Sequence, residues 1–158
     1  MRGAGTSAHA PRLPLLERLA RGGHGAALDA EGLRAAVGRE LLRILNGRSV
    51  GGRGEGVSVS LSVPDYGIPD WTALYAANAD DRQRLANGVA RAVRAFEPRL
   101  EGPRAEVLLH PAGLRLLLVR LSGRLRFNGA SLAVAYAITL GSDGARLVAL
   151  EDTRLDVR

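Results

Sequence analysis

Pro98 divides this sequence in two. A proline keeps the residue before it out of helical geometry and has no backbone N–H to donate. A helix that reaches Glu97 must therefore stop there. Ahead of Pro98 the apolar residues recur with helical spacing. After Gly102 they alternate, or cluster in short runs between turn signals. Helices followed by a run of strands predict an α+β fold: N-terminal helices packed on one face of a C-terminal antiparallel four-stranded meander.

The helical half reads as follows. Residues 1–13 are rich in Gly, Ala, Ser and Pro and are expected to form a flexible N-terminal tail. Pro14 suits the first turn of a short helix carrying Leu15, Leu16 and Leu19, which Gly22-Gly23-His24-Gly25 ends. A long helix is predicted from about Ala30 to Asn46. Asp29 is its cap, Leu28 and Leu33 have staple spacing, and Leu33, Val37, Leu41, Ile44 and Leu45 form its apolar stripe. Gly47 suits a left-handed stop. Residues 47–56 hold five glycines and read as a flexible connection, and Val57, Val59, Leu61 and Val63 have strand spacing up to Pro64. A second long helix runs from Asp80, capped by a variant capping box with Gln83, to about Phe96. Leu85, Val89, Val93 and Phe96 share its inner face.

In the strand half, Ala105–Leu109 leads through Pro111-Ala112-Gly113 to a long segment, Leu114–Arg126. Asn128-Gly129 is a strong two-residue hairpin signal. Leu132, Val134, Tyr136, Ile138 and Leu140 alternate with Ala133, Ala135, Ala137 and Thr139. Gly141-Ser142-Asp143-Gly144 then turns the chain into Arg146–Leu150. One domain over residues 14–151 is expected, with 152–158 as a C-terminal tail.

Composition removes several function classes. The chain has no cysteine, which rules out disulfides, thiol catalysis and Cys-based zinc sites and suits the cytosol. His9, His24 and His110 lie in a tail, a glycine linker and a turn, without metal-ligand spacing, so neither metal nor cofactor is expected. No GxSxG elbow is present. Gly52-Arg53-Gly54-Glu55-Gly56 lacks the ending of a phosphate loop and reads as linker. No apolar run nears the roughly 20 residues of a membrane span, and Leu116 to Val119 is bracketed by Arg115 and Arg120. The net charge is +6, and all 22 basic residues are Arg. They are scattered, with few aromatics beside them, which argues against nucleic acid.

Two segments carry the candidate chemistry: Pro64-Asp65-Tyr66-Gly67-Ile68-Pro69-Asp70 and Phe96-Glu97-Pro98-Arg99-Leu100. Glu97 stands at a helix C-terminus, where the dipole disfavours negative charge. Such a carboxylate either finds a partner that pins the helix end or takes up its proton readily, as a general acid does. Arg99 is the nearest partner, and alternatively an exposed fork for an acidic surface on another chain. Tyr66 and Trp71 are two of six aromatics. They either plug the gap between linker and helix or anchor an interface, since Tyr, Trp and Arg are the usual hot-spot types. A meander also has two sheet edges, and an apolar edge can accept a strand from a neighbour.

Three elements in order resemble the family of short baseplate wedge proteins of contractile injection machines. They are Leu45-Asn46-Gly47-Arg48, then Tyr66-Gly67-Ile68-Pro69-Asp70, then Glu97-Pro98-Arg99-Leu100. The family includes the TssE proteins of the type VI secretion baseplate and their contractile-phage tail relatives. Gly47 stands where the secretion proteins often have Thr, and Pro64-Asp65 is closer to the phage pattern. The resemblance leaves open a secretion system, a phage-like tail or a related particle. It implies a non-enzymatic structural component, cytoplasmic at the inner face of the envelope, without membrane insertion. Its partners would be other wedge subunits and sheath proteins, with sheath assembly seeded by strand addition. No small-molecule substrate, nucleic acid or cofactor is implied. The implied motif residues are Glu97, Pro98, Arg99, Tyr66, Gly67, Pro69 and Asp70. Two alternatives remain at this point: a muramidase-like peptidoglycan hydrolase with Glu97 as general acid, and an Arg-rich RNA-binding domain.

Overall fold

A computed structural model describes residues 28–49, 66–72, 74–113 and 115–151. The expected tails, the short helix after Pro14, the glycine linker and the strand over Val57–Val63 lie outside the described residues.

Helix α1 spans Ala30–Asn46 and helix α2 spans Ala79–Phe96. Strands β1 (Leu100–Leu109), β2 (Leu117–Phe127), β3 (Ala130–Gly141) and β4 (Gly144–Glu151) follow. They form one antiparallel sheet in the order β1-β2-β3-β4, the meander expected from the sequence.

Local chemistry explains where α1 begins and ends. Asp29 caps it, its carboxylate accepting from the Gly32 N–H at 2.7 Å, and Leu28 packs on the core beneath. Gly47 ends it, but not in the left-handed conformation the sequence predicts. Its φ of −74° and ψ of 142° are extended. The glycine is needed for space: a Cβ there would lie 3.1 Å from both Gly67 Cα and the Tyr66 ring.

The start of α2 also differs from expectation. Asn78, not Asp80, is the cap, its side chain accepting from the Asp80 N–H at 2.9 Å. Asp80 and Asp81 instead sit in the first turn, where the dipole favours them. Gln83 bonds to Asn87 one turn on rather than reaching back to the cap.

The strands differ in extent from expectation: β2 begins at Leu117 rather than Leu114 and ends at Phe127, and β4 runs over Gly144–Glu151 rather than Arg146–Leu150. β1 begins at Leu100, ahead of the Ala105 expected, because Leu100 already pairs with Leu125. Gly102 at φ +59° and Pro103 mask the strand in the sequence, and a bulge between Glu101 and Arg104 absorbs them. The Asn128-Gly129 turn is as expected, both residues having positive φ (48° and 81°), as a two-residue hairpin of the primed type requires.

The period-two alternation of the sheet meets the 3.6-period stripes of the helices in one core. Leu117, Val119, Leu121 and Leu125 of β2 and Val134, Tyr136, Ile138 and Leu140 of β3 face Leu33, Val37, Leu41 and Ile44 of α1 and Leu85, Val89 and Val93 of α2. Helix α2 lies chiefly over β1 and α1 over β4. The Tyr136 ring fits against Gly38 of α1, and its hydroxyl donates to the Arg34 carbonyl at 3.0 Å. Among the described residues no helix is long and apolar enough to cross a membrane.

Candidate functional site

The corner between α2 and β1 is built around a buried ion pair. The Glu97 N–H still closes the helix on the Val93 carbonyl, at 2.8 Å, but its φ of −124° and ψ of 75° leave helical geometry, as Pro98 demands. The chain reverses through Pro98 and Arg99, and the Leu100 N–H donates back to the Glu97 carbonyl at 3.1 Å. This reversal folds Arg99 over the Glu97 side chain. Arg99 Nε donates to Glu97 Oε1 at 2.8 Å, and Nη2 donates to Oε2 at 2.6 Å. The Arg99 backbone N–H adds a third bond to Oε1, at 3.1 Å.

Burial sets the strength of this arrangement. The Glu97 side chain is only 1% exposed and Arg99 26%. A buried carboxylate is tolerated only when its lone pairs are matched by donors. A planar guanidinium fork meets both oxygens at once, which an ammonium cannot do. The pair thus fixes where α2 ends and where β1 begins. Of the two sequence readings of Arg99, the internal partner is the one realised.

Tyr66 stands over the same corner. Its ring meets Phe96, the last residue of α2, edge to face with centroids 5.1 Å apart. Its hydroxyl donates to Glu40 of α1 at 3.1 Å. Burial, then the Glu40 carboxylate, then more weakly Glu97, push the Tyr66 phenol up to about 12. Burial and the Glu97 charge raise the Tyr136 phenol as well. The side chains of α1 and α2 thus meet through one tyrosine beside the clamp.

Gly67 and Ile68 tie this segment to the end of α1. The Ile68 N–H donates to the Gly47 carbonyl, and the Ser49 N–H donates to the Ile68 carbonyl, both at 3.1 Å, giving a parallel bridge between Arg48 and Ile68. Gly67 has φ +109°, and a Cβ on it would collide with the Gly47 carbonyl. Ile68 is fully buried in the core. Pro69 rests on α2 at Gly88, where a Cβ would come within 3.0 Å of the proline ring.

Asp70 and Trp71 lie apart from the clamp; Asp70 is exposed, and Trp71 is half-buried against the core. Asp70 Oδ1 accepts from Arg48 Nη1 at 2.7 Å, from Thr72 Oγ1 at 2.7 Å and from the Thr72 N–H at 3.1 Å. The Thr72 bonds, with a smaller contribution from Arg48, hold its carboxyl below the usual range. Arg48 also lies over the Trp71 ring, 5.9 Å from its centroid. Asp65 is outside the described residues.

Asn46 gains a role that the sequence does not assign to it. It is the last residue of α1, and it reaches β4. Its amide oxygen accepts from the Ala145 N–H at 2.8 Å, and its amide nitrogen donates to the Ala145 carbonyl at 3.3 Å and to the Leu42 carbonyl at 2.8 Å. The local signal is an Asn before a helix-ending Gly; its partner 99 positions away carries no local signal.

The corner, the Tyr66–Asp70 segment and both long helices fall almost wholly within a stretch that matches a known family model. Residues 31–130 match the model described as baseplate wedge protein gp25. The chain belongs to the baseplate wedge protein gp25 family. Among solved structures, a chain of the baseplate complex from the type VI secretion system shares the fold of this gp25-family protein. It has a TM-score of 0.53 and 20% identity, over 75% of this chain and 96% of that one. No curated protein matches the chain. As a member of the gp25 family the protein is a structural baseplate component.

Proposed function

We propose that this protein is a non-enzymatic wedge subunit of a contractile injection machine of the type VI secretion kind. It docks other wedge subunits and seeds the sheath by offering a sheet edge for strand addition. It works on the cytoplasmic side of the envelope, with sheath and wedge proteins as its partners and no small-molecule substrate.

The observation that carries this reading is the engagement of both Glu97 oxygens by Arg99 within a corner that is 1% exposed at the carboxylate. A general acid must reach its substrate. This carboxylate instead holds β1 to the end of α2, and the sheet it holds ends in β4. There Asn46 bonds the backbone N–H and carbonyl of Ala145. Leu147 and Val148 beyond it are exposed apolar residues, the composition suited to receiving a strand.

The test is affinity purification of the tagged full-length protein from its native cell. Recovery of sheath and wedge proteins supports the reading. Cell-wall hydrolysis by the purified protein that Glu97→Gln abolishes would establish the muramidase instead. Binding to RNA with steep salt dependence, in place of protein partners, would establish the RNA-binding domain.

A further inference from the structure

The loop between Asp70 and α2 does not pack flat on the sheet. It leaves a groove of about 400 Å³ against the end of the sheet where the β1–β2 and β3–β4 turns lie. Trp71, Leu74, Tyr75 and Ala76 form one wall and Leu117 of β2 the other, with Arg115 at the rim. Hydrogen bonds fix the backbone of the wall that carries Leu74 and Tyr75. The Tyr75 N–H donates to Asp81 at 3.0 Å, the Asn78 N–H to the Tyr75 carbonyl at 2.8 Å, and the Leu74 N–H to the Trp71 carbonyl at 3.0 Å.

Three features identify what fits. The lining is apolar and aromatic, and Tyr75, at 68% exposed, is the most exposed large apolar residue among the described residues. Leu109, the register partner of Leu117, extends the apolar surface past the wall at 41% exposed. The cation open to an incoming carboxylate is Arg115, exposed at the rim; Arg48, which lies over Trp71, is already paired with Asp70 at 2.7 Å. Tyr, Trp and Arg around a preformed pocket are the residue types that carry binding energy at protein interfaces.

We propose that this groove is a docking site for a peptide segment of another polypeptide in which bulky apolar side chains are flanked by Asp or Glu. The apolar side chains enter between Tyr75 and Leu117, and a flanking carboxylate meets Arg115. This site uses side chains at one end of the sheet, not the β4 edge, and stands whether or not strand addition occurs.

Trp71 is the single tryptophan of the chain, so tryptophan emission reports from one wall of this groove. The full-length protein is titrated with a synthetic peptide whose Leu-Phe-Leu core is flanked by Glu, and with the same core flanked by Lys. The expected result is a saturable change in Trp71 emission with the Glu peptide and a weaker or absent one with the Lys peptide. Arg115→Glu should weaken the Glu peptide about fivefold and strengthen the Lys peptide. Tyr75→Ala should weaken the Glu peptide about tenfold. Arg124→Glu, the same charge change on an exposed residue of β2, should leave binding unchanged. The proposal is overturned by no saturable change, by equal response to both peptides, or by equal loss in Arg115→Glu and Arg124→Glu. Emission that instead shifts with the protein's own concentration, without peptide, would assign the groove to a second copy of this chain and overturn it too.

Discussion

Asn46 acts on Ala145 as a one-residue strand: its side-chain amide accepts from the N–H and donates to the C=O of the same residue. The last residue of α1 thereby closes the first outward-facing pair of backbone groups on β4. Replacing it with Ala leaves both groups part-buried without their partner, which costs about 1–3 kcal/mol for such groups. Asn46→Ala is expected to lower the unfolding free energy by that amount, read as a lower denaturant midpoint with little change in slope. Asn46→Asp keeps the acceptor, loses both donor bonds and should fall between the parent and Asn46→Ala.

The clamp gives an asymmetric prediction. Glu97→Ala leaves the Arg99 guanidinium largely buried without its carboxylate, and breaking a buried pair from one side costs about 3–5 kcal/mol. Arg99→Lys also loses the fork and should cost nearly as much, since an ammonium cannot span both oxygens. Glu97→Met combined with Arg99→Leu removes both charges and should recover much of the loss. Equilibrium unfolding of the three variants checks the order.

How much of this can be read from the sequence depends on how local each cause is. Pro98 ends α2 through its own ring, Asn128-Gly129 makes its hairpin through its own φ values, and Asp29 caps α1 three residues away. All three are legible. The pairing of Glu97 with Arg99 is legible as one of two options, because a single proline separates them. Gly47 misleads: its sequence context is that of a left-handed cap, whereas its reason is the approach of Tyr66 and Gly67 from another part of the chain. The start of β1 is hidden because Gly102 and Pro103 look like a turn until Leu125 pairs with Leu100 across them. The Asn46–Ala145 contact and the seating of Pro69 on Gly88 are tertiary, and no short window along the chain contains both members.

Two glycines with positive φ should respond differently to the same change. Gly129 has open space around it, so Gly129→Ala costs only the left-handed backbone, about 1–2 kcal/mol. Gly67→Ala meets the same backbone cost and drives its methyl into the Gly47 carbonyl, which must move together with the Arg48–Ile68 bridge. It is expected to cost clearly more than Gly129→Ala in thermal or denaturant unfolding. Equal effects would show that the close approach of residues 47 and 67 adds nothing.

Alkaline stability follows from the two tyrosines. Tyr66 holds its proton up to about 12, above the ordinary phenol near 10, and Tyr136 is raised too. A group that binds its proton more tightly when folded stabilises the fold fully below its unfolded pKa, and that contribution is lost as pH rises through the folded value. Stability should therefore fall between about pH 10 and pH 12, while the arginines stay charged. Tyr66→Phe should lower stability at neutral pH through the lost Glu40 bond and flatten the alkaline decline. Urea midpoints across that range, with phenolate absorbance, check both.

The edge of β4 offers the sharpest test of strand addition. Backbone groups alternate along a strand, so if those of Ala145 face outward, those of Leu147 do as well. A bulge then places Val148 outside the register, and Val148 is 57% exposed. Proline is tolerated on an edge strand where its missing N–H faced outward. Leu147→Pro is thus expected to keep the fold, read by an unchanged circular dichroism spectrum, while removing one donor that an incoming strand needs. Recovery of sheath protein with the tagged variant should fall well below that with the parent, and recovery of other wedge subunits should persist. Sheath recovered at the parent's level would place its docking elsewhere than β4. The groove at Trp71 and Arg115 is tested separately, so loss of one surface leaves the other measurable.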